Sequence, residues 1–146
     1  MLDLGLAVAH HLLIFALFAA LVGELVYLRA DMSREMSKRL ATTDLWYGIL
    51  AGLVVIVGFS RAIFAAKGWY YYSHNLFFWV KIGDFGLIAL LSIPPTIALR
   101  RWSTTPELPG SVLVHKVRRF VVLEFVLFFL LPVFAAAMAR GLGEYR

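Results

Sequence analysis

The sequence predicts an all-α fold, an antiparallel four-helix transmembrane bundle forming one domain over residues 1–146. Three observations predict it. Hydrophobic residues make up 62% of the chain and the mean hydropathy is +0.82, whereas a soluble domain is nearer half apolar. The apolar residues gather in four runs, each long enough to cross a bilayer as a helix at 1.5 Å per residue. The basic residues collect between those runs, where membrane topology uses them. The net charge of +5 and pI near 9.8 therefore describe loops, and no nucleic-acid partner is expected. With no cysteine, disulfides, thiolate metal ligands and covalent haem attachment through paired thiols are excluded.

The first helix is expected at about residues 4–28. It carries His10, His11 and Glu24, and its small residues Ala16, Ala20 and Gly23 suit close helix packing. The start has no basic n-region and its apolar run is long for a signal peptide, so it reads as a retained helix. A charged loop, Arg29 to Arg39, follows with four basic residues. The second helix is expected at about 42–66, with Asp44 near its start, Arg61 near its end and a Gly48/Gly52 pair at GxxxG spacing. The segment Lys67 to Asn75 holds Trp69, Tyr70, Tyr71 and Tyr72, which read as an interfacial aromatic belt, and His74.

The third helix is expected at about 76–98, with Lys81 and Asp84 inside it and Pro94 and Pro95 kinking or closing it. Arg100 to Arg119 is a loop with five basic residues, and Val114 to Arg119 forms an amphipathic lead-in to the fourth helix, expected at about 117–139 with Glu124 inside. The tail, Ala139 to Arg146, is short and polar. Two loops are thus basic and the middle one carries Lys67 alone, so the positive-inside rule puts both basic loops in the cytoplasm and both termini outside.

Depth along each helix sorts the polar residues into two layers. His10, His11, Arg61, Lys81 and Asp84 fall in an outer layer, with His74 over it; Glu24, Asp44 and Glu124 fall in an inner one. Plain structural roles exist for each. Lys81 and Asp84, three apart on one helix face, can pair with each other, and Lys81 and Arg61 can snorkel to headgroups. Glu24 and Asp44 can pair with Arg29 or Lys38, and Glu124 with Arg118 or Arg119. The histidine pair resists such a reading, because an imidazole in an apolar helix is costly unless bonded. The two rings lie about 100° apart, so one of them points squarely into the bundle.

An inward imidazole suits axial ligation of haem iron. Arg61 and Lys81 would neutralise two propionates, and Phe77, Phe78, Trp79 and Phe85 would flank a flat macrocycle. A zinc or copper site wants three or four converging ligands, and the outer layer offers at most His10, His11, His74 and Asp84.

The layout resembles the HemJ family, small four-helix haem-binding protoporphyrinogen oxidases of bacteria. His10 precedes Phe18-Ala19-Ala20-Leu21 and Val26-Tyr27 at matching distances; Thr42-Thr43-Asp44 and the run from Gly48 to Gly58 are similar to the family's second helix; Val80-Lys81-Ile82 matches its third. The resemblance implies His10 as axial ligand and Lys81 as a pocket or second-ligand lysine. The chain departs from the family at Trp79, where the family has a histidine, at Tyr27-Leu28 and at Ser92-Ile93-Pro94. Those departures set protoporphyrinogen oxidation aside and place the chain in an uncharacterised bacterial four-helix family, a distant cousin of HemJ, in the inner membrane with periplasmic termini.

Two functions follow as expectations. The first is a haem b protein, a haem-dependent oxidoreductase in electron transfer or in oxidation of a quinone- or porphyrinogen-class substrate. In it His10 or His11 ligates iron, and Lys81, His74 or water lies on the far side. The second is a haem-free transporter or assembly factor whose charged layer relays protons or ions. A homodimer is compatible with either. No nucleotide-binding Gly-rich loop and no nucleophile triad is present in the sequence.

Overall fold

The computed structural model describes residues 2–29, 31–64 and 68–145. Lys67, the lone basic residue of the middle loop, and residues 65–66, where the second helix was expected to end, lie outside them. The described chain forms six helices: α1 (Leu2–Tyr27), α2 (Arg34–Phe64), α3 (Gly68–Ser73), α4 (Leu76–Thr104), α5 (Ser111–Phe128) and α6 (Leu130–Ala139). Its one β feature is an isolated bridge between Asn75 and Glu144. Four spans, α1, α2, α4 and α5 continued by α6, are long and apolar enough to cross a membrane. Large apolar side chains such as Leu12, Phe15, Ile56, Leu90 and Val126 cover the outside. An apolar exterior of this extent is stable only against lipid. The protein is an all-α membrane bundle.

The helices differ from the expected ones at several places, among them the start of the fourth span, which is Ser111 rather than residue 117. α2 begins at Arg34 rather than near Thr42. Ser33 accounts for this: its hydroxyl accepts from the Met36 amide at 3.2 Å, and Glu35 in the first turn complements the helix dipole. Much of the charged loop is therefore helix, braced by an Arg39–Glu35 ion pair at 2.7 Å. α4 runs through Pro94 and Pro95 to Thr104. Within a bundle, packing against neighbours carries a helix past missing amide donors, and Pro95 is itself buried in the core. The fourth span breaks at Phe129, whose amide turns back to the Val126 carbonyl at 3.2 Å. Pro132 explains the break, since its ring crowds the carbonyl four residues back, Phe128, and supplies no hydrogen bond to it.

The four spans form a ring in chain order. α1 packs on α2, α2 on α4, α4 on α5 and α6, and α5 on α1. Among the described residues the diagonal pairs α1/α4 and α2/α5 make no backbone contact, and neither do α1 and α6. The break at Phe129 thus divides the fourth span: α5 closes the ring against α1, and α6 stays with α4. This leaves a seam between α1 and α6 at the end of the bundle that holds the chain termini.

The core lies along the ring axis toward the basic loops. Leu17, Leu21, Leu40, Leu99, Val114 and Val121 are each almost wholly buried there. Phe18 stacks on Phe125 and Phe128, with ring centroids 5.6 and 5.3 Å away. The aromatic segment Gly68–Ser73, expected as a loop, is a short helix. The tail docks onto it: Tyr71 Oη donates to Met138 O at 2.8 Å, and the Tyr145 amide to His74 O at 3.0 Å. Asn75, fully buried, caps α4 through the Phe77 amide and donates to Leu142 O at 3.1 Å.

Candidate functional site: two polar layers in the bundle

The layer nearer the termini centres on His10. Its ring faces α2, where Gly58 leaves room for it; a Cβ at Gly58 would stand 3.1 Å from the ring's Cε1. Nδ1 of His10 is buried and has no hydrogen-bond partner. The positive charges of Lys81 on α4 and Arg61 on α2 act on the ring, and Arg61 acts on Lys81. Three helices therefore contribute one imidazole and two cations within electrostatic range of one another. Lys81 Nζ sits over the Phe78 ring, 5.8 Å from its centroid. Phe78 is in turn the hub of an aromatic group with Phe59, Trp69 and Tyr72.

Adjacent histidines on one helix must diverge, and these do. His11 is exposed and turns back on its own helix, Nδ1 lying 2.7 Å from Ala7 O. His74 stacks on Tyr70 at 4.1 Å, and its Nδ1 lies 3.0 Å from Tyr70 O. It belongs to the tail clamp, its ring also lying 6.0 Å from that of Tyr145. Asp84 is on the same helix as Lys81 but no ion pair joins them: among the described residues Arg39–Glu35 is the one pair within 4.0 Å. One buried carboxylate oxygen of Asp84 and the buried Nε of Arg61 have no hydrogen-bond partner.

The second layer is carboxylic and lies nearer the basic loops. Glu24 on α1, Asp44 on α2 and Glu124 on α5 are 1%, 3% and 1% exposed. The expected partners do not reach them. Arg29 Nε donates to Val26 O instead, and Arg118 donates to Leu25 O and Leu28 O at 3.0 and 2.5 Å, capping the end of α1. What the carboxyls have are hydroxyls. Tyr47 Oη donates to Glu124 Oε2 at 3.1 Å, and Thr96 Oγ1 donates to Asp44 Oδ1 at 2.7 Å. Oε1 of Glu24, Oδ2 of Asp44 and Oε1 of Glu124 are buried with no donor facing them. Glu24 acts electrostatically on both other carboxyls, and the cation felt by Asp44 is Arg100. Among the described residues no three His, Asp or Glu side chains converge as a metal site.

Sequence reasoning missed Gly58, Tyr47 and Thr96. Tyr47 was recoverable, because it stands three residues from Asp44 and so shares its helix face. Gly58 and Thr96 carry no such signal; their roles depend on which partner helix they meet.

The chain belongs to the DUF2214 family of predicted membrane proteins. The match covers residues 2–143, hence all four spans and both layers. No curated protein and no solved structure matches the chain. The family description agrees with the apolar exterior and the four spans, and it names no ligand or reaction.

Proposed function

We propose that the His10 layer is a haem b site and that the protein is a haem-dependent oxidoreductase of the bacterial inner membrane. Its substrate or electron partner is then a small membrane-accessible molecule of the quinone or porphyrinogen class. The observation that carries this reading is the inward His10 ring with an unbonded nitrogen beside Lys81 and Arg61. The donor set fits one haem: an imidazole for the iron and two cations for the two propionates. The helices α1 and α6 make no backbone contact at that level, and the Phe78 group supplies an aromatic wall. The resemblance to HemJ at His10 and at Val80-Lys81-Ile82 supports the same assignment.

Each residue has its own task in this reading. His10, set by Gly58, presents a ring nitrogen. Lys81 and Arg61 hold the propionates, with Lys81 also the nearest candidate for a second ligand. His11 and His74, turned away, hold nothing. Bound haem b supplies one-electron transfer, tuned by its axial ligands and burial. Gly48 and Gly52 lie on the open side of α2 with nothing near either position, which suits a homodimer through that face.

A second reading rests on the carboxyl layer. Three carboxyls buried without a paired cation suit a proton or ion relay in a haem-free transporter or assembly factor, because intramembrane acidic groups mark such pathways.

Pigment separates the two. Protein purified in detergent from haem-replete cells should be red, with a Soret band and b-type bands on dithionite reduction. His10→Ala should bleach it and His11→Ala should not. A colourless wild type overturns the haem reading and leaves the relay; bleaching by His11→Ala alone overturns the assignment of His10 as the ligand.

A further inference from the structure

We infer that the basic-loop end of α5 is a binding site for one anionic phospholipid, its phosphate held by His115, Arg118 and Arg119 and its acyl chain lying along Val122 and Leu123. Two grooves of about 270 and 460 Å3 meet here and share His115 and Arg118. The first runs to Leu28 and Arg29 at the end of α1 and the second down α5 over Val122 and Leu123.

The spacing on α5 builds an amphiphile's outline. Positions 115, 118, 119, 122 and 123 lie on one helical stripe. Val122 is one turn below Arg118 and Leu123 one turn below Arg119, so each cation stands over an apolar residue about 6 Å deeper. Val122 and Leu123 are 40% and 51% exposed, as residues covered by a lipid chain should be.

Charge complementarity names the headgroup. The grooves are lined by three arginines and a histidine and by no acidic residue. Asp31, two residues from Arg29, is exposed but lines neither groove and pairs with no arginine; Glu24 and Glu124 are buried inside the bundle and pair with none of the arginines. Arg118 is already fixed by the α1 carbonyls of Leu25 and Leu28, so its remaining guanidinium hydrogens are held in place. Among the described residues the Arg119 side chain has no hydrogen bond or ion pair. An arginine fork matches a phosphate better than a lone ammonium does. Basic pockets of this kind beside transmembrane helices recognise anionic headgroups. A free phosphate would use the cations and leave the apolar floor unused, so the floor selects a lipid.

The test is retention of lipid by the purified protein in a neutral detergent, read by native mass spectrometry with thermal unfolding alongside. Dioleoyl phosphatidylglycerol, dioleoyl phosphatidylcholine and inorganic phosphate are compared. Phosphatidylglycerol should bind as a discrete adduct and raise the melting temperature; phosphatidylcholine and phosphate should do neither. Arg119→Gln, which breaks no bond in the structure, should weaken that binding about fivefold, and Leu123→Asn should weaken it without altering the charge. Equal retention of the two lipids, equal stabilisation by phosphate, or unchanged binding in both variants overturns the site. The readout is independent of pigment, so it stands whether or not haem is present.

Discussion

Tyr47 and Glu124 meet across the diagonal of the bundle. The Tyr47 hydroxyl on α2 donates to Glu124 on α5 at 3.1 Å, although the backbones of those two helices make no contact. Thr96 on α4 likewise reaches Asp44 on α2. The carboxyl layer therefore ties three spans, α2, α4 and α5, through side chains, and one of its two bonds crosses a diagonal that backbone packing does not.

Tyr47→Phe removes the donor and leaves a buried carboxyl oxygen unbonded. Its expected cost is about 1–3 kcal/mol, read as a lower melting temperature in detergent. Tyr47→Phe combined with Glu124→Leu should recover part of that loss, because removing both partners leaves no orphan. Additive losses in the double variant would show that the bond is not a coupled pair.

Gly58 sets the position of His10. Gly58→Ala places a methyl 3.1 Å from the His10 ring and should move the imidazole, costing about 1–3 kcal/mol by overpacking. In the haem reading the absorption spectrum shifts or fades in step. Gly83→Ala, at a position with nothing within 4 Å, is the control and should leave the spectrum as it was. Identical spectra in the two variants would dissociate Gly58 from the site.

Asn75 joins the start of α4 to the chain's end. Asn75→Ala deletes both the cap on the Phe77 amide and the bond to Leu142 O, at an expected cost of about 1–3 kcal/mol. The tail should then become the first site cut in limited proteolysis. Gly143→Ala should release the tail as well, since a Cβ there falls 2.7 Å from the Phe77 ring at a φ of +75°.

The outward pair Gly48 and Gly52 predicts the oligomer. Gly52→Ile fills a face that is open within one chain, so it should leave the monomer's fold intact and abolish chemical crosslinking in membranes. A crosslinked dimer that survives the substitution would place the interface elsewhere.

Hydropathy, loop charge and rise per residue depend on short stretches of chain, so four membrane-crossing spans are legible in the sequence alone. Position along those spans leads to the expectation of His10, His11, Arg61, Lys81 and Asp84 in one layer and Glu24, Asp44 and Glu124 in another. The sequence also held signals that went unread: Ser33 ahead of Glu35 marks the true start of α2, and Pro132 marks the break at Phe129. Rotation about each helix axis was beyond it, because that angle is set by packing against partners distant in sequence. The assembled bundle turns His10 in, against Gly58, and His11 out. It also sets Lys81 over the Phe78 ring rather than in an ion pair with Asp84, and gives Glu124 its hydrogen bond from Tyr47, 77 residues away. Periodicity says which residues share a face; only the assembled ring says what that face meets.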